Sequence, residues 1–557
     1  MQSLVKQTLA LLALITVLAP TLVSGQTPPA EGSGTLDASF GTGGLVTTDF
    51  GGFNTAARAV AVQPDGKIVA AGVAAVNGIA DIAVARYNRD GTLDASFGTG
   101  GTVITDFAAR FNALLALPSA LARQPDGKIV VAGVALFDVF ANFAMARYNS
   151  DGTLDESFGT GGIVTTSFGD LGAQAFAVAV QADGRIVAAG IANIDGREDF
   201  ALVRYNRDGT LDASFGTDGK VTTAFDGFPG EGFTSSQAVS VAVQPDGRIV
   251  AAGNAFIGEG FDTALARYNS NGTLDAGFGT GGRVTTDFGG FNDLVSVVAV
   301  EPDGRIVAVG QAGPFSGRDV DFALARYNSD GTLDAGFGTG GKATTDFAGS
   351  SDQPFSVALQ GDGKIVVAGR TLVGNAFDFG VARYNSDGTL DAGFGTSGTA
   401  TTDFAGFDDQ PASVAVQPDG NIVVAGVADL GGRRNFALAR YVGGAAQLEP
   451  DIDTAPASLA FGNVRRRTFR NLGLTVRNTG TATLNVTSTT LLGPDAAQYS
   501  IVAGGGTFSL EPGATRLVVV RFAPTSLGVK VATLRLVSND PDENAKEVPL
   551  SGRGRLR

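Results

Sequence analysis

The chain has 557 residues, a formal charge of −15 and no Cys, His or Trp. Disulfides, thiolate and imidazole catalysis and the commonest transition-metal ligands are thereby excluded. An apolar content of 44% and 80 glycines without a three-residue period argue against disorder and collagen, and the acidity argues against nucleic acid as a partner of the whole chain.

The first element in chain order is an address label. Lys6 precedes an apolar run from Leu9 to Leu22, and small residues follow at Val23, Ser24 and Gly25. The run is shorter than the roughly 20 residues of a spanning helix. Residues 1–25 are therefore expected to be a signal peptide cleaved after Gly25, with 26–34 as a linker. The expectation is an exported protein, extracellular, surface-associated or periplasmic, with no transmembrane segment in the mature chain.

Residues 35–442 carry three landmarks, each seven times, at spacings of 57 to 63 residues. Asp-Gly-(Lys/Arg/Asn)-Ile-Val begins at Asp65, Asp126, Asp183, Asp246, Asp303, Asp362 and Asp419. Arg-Tyr pairs end at Tyr87, Tyr148, Tyr205, Tyr268, Tyr327, Tyr384 and Tyr441. Leu-Asp-x-x-Phe-Gly begins at Leu36, Leu93, Leu154, Leu211, Leu274, Leu333 and Leu390. Each repeat reads as four short strands, as in 59–63, 67–73, 82–87 and 102–107, with Pro64-Asp65-Gly66 and Asn88-Arg89-Asp90-Gly91 as turns. Such sheets bury both faces only when packed radially, so the expected fold is all-β: a seven-bladed β-propeller of four-stranded antiparallel blades. The first landmark copy lacks an Arg-Tyr strand before it, and the last lacks a Val-Thr-Thr-Asp-Phe strand after it. Residues 45–50 should therefore complete the blade of 412–441, a one-plus-three closure, rather than leave an open solenoid with caps.

Two recurrent runs, Arg326–Gly338 and Val62–Val69, resemble the delta-60 repeat of exported bacterial proteins. The resemblance covers roughly 35–442; it implies blade-like repeats and no activity.

After a linker at 443–450, residues 451–554 show turn signals every 8–15 residues, and 555–557 form a tail. The spacing fits a seven-strand immunoglobulin-like β-sandwich. Leu459–Gly462, Arg477–Gly480, Phe522–Pro524 and Ser538–Pro541 make this part similar to the choice-of-anchor D and Hydin-type immunoglobulin-like domain. Residues 451–557 hold 13 basic and 8 acidic side chains, net +5, against −20 for the remainder. Arg465, Arg466, Arg467 and Arg470 read either as an anionic docking spot or, more plainly, as a charged strand edge that discourages aggregation.

The apparent motifs for chemistry do not hold. The Asn-x-Asp-Gly segments fail as calcium loops of the EF-hand kind, because with Asp151 at position five the first position is Arg147; they read as Asx turns. Gly41–Gly44 and its copies precede no helix that could receive phosphate. Arg86, Arg147, Arg204, Arg267, Arg326, Arg383 and Arg440 recur seven times with Asp94, Asp155 and their equivalents. Seven identical copies suit a structural ion pair better than one site. No catalytic residue, metal ligand or cofactor is expected.

Function should lie where repeats differ. Two connections vary, fourth strand to next first strand and second to third, and strand alternation places both on one face. The candidate ligand residues there are Phe53, Phe111, Asp138, Asp195, Phe228, Glu231, Glu259, Phe291, Asp319, Asp408 and Arg433. A ring of Asp81, Asn142, Asp199, Asp262, Asp321, Asp378 and Asn435 borders it, read as a polar rim or as caps on the strands. The expected role is a non-enzymatic binding protein for a protein, peptide or surface polymer. The alternative is a carboxylate- or divalent-cation-dependent propeller enzyme of the glycosidase, lyase or lactonase class.

Overall fold

The computed structural model describes residues 32–556 apart from 52–53, 77–78, 108–112, 138–139, 170–171, 226–234, 258–259, 290–292, 314–319, 348–350, 445–449, 481–482, 512 and 541–544. The expected signal peptide lies outside the described residues. Seven four-stranded antiparallel sheets follow one another along the chain. Blade 1 consists of Thr55–Val62, Ile68–Val76, Ile79–Tyr87 and Thr102–Thr105. The first strands of blades 2 to 7 begin at Leu115, Ala173, Ser236, Leu294, Asp352 and Gln410. The second and third strands are near-continuous apolar runs because both of their faces are covered. Val69 and Ile82 of blade 1, for example, share one buried cluster with Ile129 and Ala144 of blade 2.

The closure is the expected one-plus-three. Leu45–Thr48 pairs antiparallel with Arg434–Tyr441, Leu45 opposite Ala439. The two ends also rebuild a turn that the repeat makes elsewhere from continuous chain. In blade 1 Gly91 N donates to Asn88 O, and Asn88 N to Thr92 O. In blade 7 the same bonds run from Gly34 N to Val442 O and from Val442 N to Thr35 O. The seventh Tyr-Asn-x-Asp-Gly-Thr-Leu-Asp turn is thus cut in its middle, with one half supplied by each end of the ring.

The repeated Arg-Tyr dipeptide joins neighbouring blades in both directions, because successive side chains of a strand point to opposite faces. Each arginine contacts the Asp of its own blade's Leu-Asp segment at 2.7 to 2.9 Å, Asp37 serving Arg440. It also lies over a phenylalanine ring, 4.3 to 4.6 Å from the centroid. Its Nη1 donates to a carbonyl in the next blade's turn: Arg86 to Ser150, Arg267 to Ser329, Arg383 to Gly443 and, across the closure, Arg440 to Arg89. The adjacent tyrosine faces the preceding blade, where its hydroxyl meets a threonine of the outermost strand at 2.7 to 2.8 Å, as in Tyr87–Thr48 and Tyr268–Thr223. The Asn-x-Asp-Gly turns are held locally: Asp90 Oδ1 accepts the Thr92 N–H and hydroxyl.

A bulge interrupts every innermost strand. In blade 4 the register with the second strand shifts between Ala238 and Ser240, leaving Val239 as the extra residue. The facing position is glycine in all seven blades, and a Cβ on Gly253 would stand 1.8 Å from the Gln237 carbonyl oxygen.

The C-terminal domain is a sandwich of nine strands where seven were expected. One sheet orders Ile452–Ala455, Arg470–Asn478, Thr515–Phe522 and Tyr499–Ala503. The other orders Leu459–Arg465, Ala545–Arg555, Gly528–Ser538, Leu484–Leu492 and Phe508–Leu510. Two strands arise because the opening segment breaks at Pro456, which has no N–H to donate, and changes sheet. The final strand has no counterpart in the expected series. Its inward positions include Gly552 and Gly554, so the alternation of apolar residues fades; the Phe522 ring covers Gly552 so closely that a Cβ there would stand 2.4 Å from it. Arg465, Arg466, Arg467 and Arg470 are exposed, with Arg467 in the left-handed region at φ 67°.

Candidate functional site

The two variable connections open on one face, since every strand pairing within a blade is antiparallel. Of the candidate ligand residues there, Phe53, Phe111, Asp138, Phe228, Glu231, Glu259, Phe291 and Asp319 lie outside the described residues. The other three are exposed. Asp195 tips the second hairpin of blade 3 at φ 52°. Asp408 Oδ1 accepts the Phe377 N–H at 3.0 Å. Arg433 closes a turn in blade 7, its carbonyl accepting the Leu430 N–H at 2.8 Å. Asp195 stands on a different blade from Asp408 and Arg433, so these three do not form one constellation.

The bulges supply a site that sequence reasoning missed. The extra residues are Arg58, Ser119, Phe176, Val239, Ser296, Phe355 and Ala412. All seven line one central cavity of about 920 Å3. A bulge re-aims a side chain without breaking the sheet. Here it turns one variable residue per blade toward the axis. Arg58 is the one cation of the described lining, which contains no carboxylate. Glutamines 174, 311, 353 and 410 add polar groups. Arg370 flanks this wall, held by Gln353 Oε1 at 2.6 Å and lying 4.3 Å over the Phe377 ring. The only trace of this ring in the sequence is a changing letter between two small or apolar ones, as in Ala57-Arg58-Ala59 and Ala175-Phe176-Ala177.

The Asp and Asn ring divides into unlike parts. Asp81 Oδ1 accepts the Phe107 N–H at 3.3 Å, a backbone cap, and Asp199 pairs with Arg197 at 3.0 Å. At three consecutive blade junctions the ring member instead meets two more carboxylates. The groups are Asp262 with Asp287 and Asp293, Asp321 with Asp346 and Asp352, and Asp378 with Asp403 and Asp409, with one oxygen of each residue within 4.8 Å of the others. In each group the first residue is on a third strand, the second follows the outermost strand, and the third stands at the start of the next blade's innermost strand. The third member anchors the loop: Phe288, Phe347 and Phe404 donate their N–H to Asp293, Asp352 and Asp409 at 2.6 to 2.8 Å. The sequence signal is Asp-Phe-x-x-x-x-Asp, present in these three repeats. Only the first member of each group belongs to the ring recognisable from the repeat, so the groups do not stand out along the chain.

Burial and the neighbouring negative charges push Asp262, Asp378 and Asp409 up to about 6. Such carboxyls bind a proton more readily folded than unfolded, so stability falls as pH rises from about 4 through 6. The arginine-paired Asp37, Asp212 and Asp275 are held below the usual carboxylate range. Their contribution is present above pH of about 4 and is lost as pH falls further. In chelator-treated buffer Tm should rise as pH falls through about 6, reach a maximum at about pH 4 and then fall. A Tm that declines steadily from pH 7 downward would contradict this assignment.

Comparison with known proteins agrees with the architecture. Segments 63–97, 124–158, 181–215, 244–278, 301–337, 360–394 and 417–441 match the family described as "Domain of unknown function (DUF5122) beta-propeller". Residues 452–544 match "Abnormal spindle-like microcephaly-assoc'd, ASPM-SPD-2-Hydin", abbreviated ASH. The chain therefore carries seven DUF5122-type propeller repeats and a C-terminal ASH/Hydin-type domain. No curated protein matches it. Among solved structures it is similar to the ASH/PapD-like domain 7 of human CEP192, at 14% identity over 19% of this chain and 86% of that one, TM-score 0.15. It is also similar to the polysaccharide lyase Uly1, at 12% identity over 75% and 94%, TM-score 0.39. Sqt1 from Chaetomium thermophilum, bound to the N-terminus of ribosomal protein L10, aligns at 13% identity over 70% and 97%, TM-score 0.39. These likenesses are too remote to carry a substrate or partner across. No helix among the described residues is long and apolar enough to cross a membrane.

Proposed function

We propose that this chain, a seven-repeat propeller followed by an ASH-type domain, is an exported, non-enzymatic binding protein whose ligand enters the central channel from the variable-loop face. The delta-60 and choice-of-anchor D resemblances and the leader-like first 25 residues support the exported part of the reading. The observation that carries the binding part is the bulge ring: seven inward side chains, different in kind, presented by an otherwise repetitive scaffold. Phe176 and Phe355 offer apolar anchors, and Arg58 offers a single positive charge. A chain end or an extended segment carrying a negative group fits that lining better than a neutral, uniformly polar polymer, since aromatic and Arg side chains dominate binding energy where they occur in pockets.

Screening the mature chain against displayed peptides with free C-termini and against a glycan array tests this. A retained peptide ligand should lose at least about tenfold in affinity with Arg58→Ala and with Phe176→Ala, each change removing roughly 1.4 kcal/mol or more. Ligands that bind both variants as well as the parent would remove the channel from the account. Turnover of a glycan would favour the enzymatic alternative.

A further inference from the structure

The carboxylate groups at the blade junctions do not line the central channel, so what they could bind is a separate question from the channel's ligand. We propose that Asp321, Asp346 and Asp352, at the junction of blades 5 and 6, hold a divalent oxygen-seeking cation of the Ca2+ class, and that the groups at junctions 4/5 and 6/7 are copies of this site.

An acidic cluster alone would be an ordinary surface feature, but two observations separate this one from that. The first is an orphaned atom. Asp352 is fully buried, at 0% exposure. Its Oδ2 accepts the Phe347 N–H at 2.8 Å, and the residue pairs with buried Thr371 in the β-ladder. Oδ1 has no hydrogen-bond partner among the described residues. A buried carboxylate oxygen without a partner is among the most unfavourable arrangements in a protein interior. One oxygen of this carboxyl lies within 4.8 Å of an oxygen of Asp321 and one of Asp346. A cation at the centre would satisfy the orphan and neutralise the mutual repulsion together.

The second observation comes from the other four junctions, which close without three carboxylates. The three equivalent positions hold Asn435, Asp49 and Thr55 between blades 7 and 1, and Asp81, Asp106 and Ala116 between blades 1 and 2. They hold Asn142, Ser167 and Ala173, then Asp199, Ala224 and Ser236, at the next two. Thr55 there bonds the Arg434 carbonyl at 3.2 Å. The joint therefore folds with Thr, Ala or Ser in the third place. Placing Asp at that buried position three times in succession adds like charge that the joint does not require.

The donor set selects the ion. The ligands are carboxylate oxygens in a chain with no His or Cys, which suits hard cations and not zinc or copper. Oxygens bound to one Ca2+ at about 2.3–2.6 Å stand up to about 5 Å apart on opposite sides. The observed span lies within that limit. Because each group takes its first two members from one blade and its third from the next, a bound ion would fasten two blades on the variable-loop face. The arginine locks fasten them through the turns at the opposite ends of the strands.

The test is calorimetric titration of the full mature chain with CaCl2 after chelator treatment, alongside Asp352→Asn and Asp346→Asn. Asp346 is exposed, so its variant is expected to fold even if Asp352→Asn does not; circular dichroism checks both. The expected result is saturable binding of three ions, falling to two in either folded variant, and a Tm at least about 2 °C higher at a hundredfold excess over Kd. The proposal is overturned if the parent shows no saturable binding of Ca2+ or Mg2+ up to about 10 mM, which is near the weak limit of known extracellular sites. It is equally overturned if the folded variants retain the parent's stoichiometry.

Discussion

Replacing Gly253 by alanine should destabilise the propeller severely. The added methyl would stand 1.8 Å from the Gln237 carbonyl oxygen and 2.8 Å from the Ala238 Cα, both backbone atoms of the bulged innermost strand. Neither can move as a flexible side chain would, because the strand packs against its neighbours around the ring. Relief requires pulling the first strand of blade 4 off the second or removing the bulge. Removing the bulge would reverse the facing of every residue beyond it. The cost should lie at or beyond the upper end of the ~1–3 kcal/mol typical of overpacking. The same substitution at Gly247, a turn glycine with open space around its Cβ position but φ 84°, isolates backbone conformation from collision; it should cost only about 1 kcal/mol. Urea unfolding of the two variants compares them directly. Equal midpoints would show that the collision at Gly253 is relieved cheaply.

The second large effect concerns the arginine lock. Arg267 is 3% exposed, 2.7 Å from Asp275 Oδ2 and 4.5 Å from the Phe278 ring centroid, and it donates to the Ser329 carbonyl in the next blade. Arg267→Leu would leave the Asp275 carboxylate largely buried, held by the Gly277 N–H at 3.1 Å and by the half-exposed Arg248 guanidinium 3.3 Å away. It would also orphan the Ser329 oxygen. Breaking a buried pair on one side costs about 3–5 kcal/mol. The double variant Arg267→Leu with Asp275→Leu should recover part of this, because the stranded charge is gone. Thermal unfolding of parent, single and double variants decides the matter. A single variant that melts with the parent would show that the seven copies do not hold the blades together.

Legibility differed between scaffold and site for a physical reason. Arg86 and Asp94 were visible as a pair because the scaffold must be rebuilt seven times, and repetition exposes it. Their reach into the next blade was not visible, since a strand pattern records that Arg and Tyr face opposite ways but not which blade lies on which side. The candidate site showed the reverse. Arg58, Phe176 and Phe355 are single variable letters inside a constant strand, and only the bulge makes them face the axis. Asp352 and Asp409 stand beside loop residues and read as loop, yet both are fully buried. The loop phenylalanines at 111, 228 and 291 stand out by their chemistry alone, and they fall outside the described residues.

The repeat number, the strand order within a blade, the closing of the ring by a strand within residues 45–50 and the presence of a second β domain were all legible in the sequence, the strand itself spanning Leu45–Thr48. Each of these follows from local periodicity and from fragments that complete one another. Only the folded ring decides where the seventh turn is cut, which residues line the axis, and which of the seven Asp or Asn ring positions gather three carboxylates. Those outcomes depend on how adjacent blades approach across a junction, and side chains that meet there are separated along the chain by as much as a whole repeat or, at the closure, by nearly the whole ring.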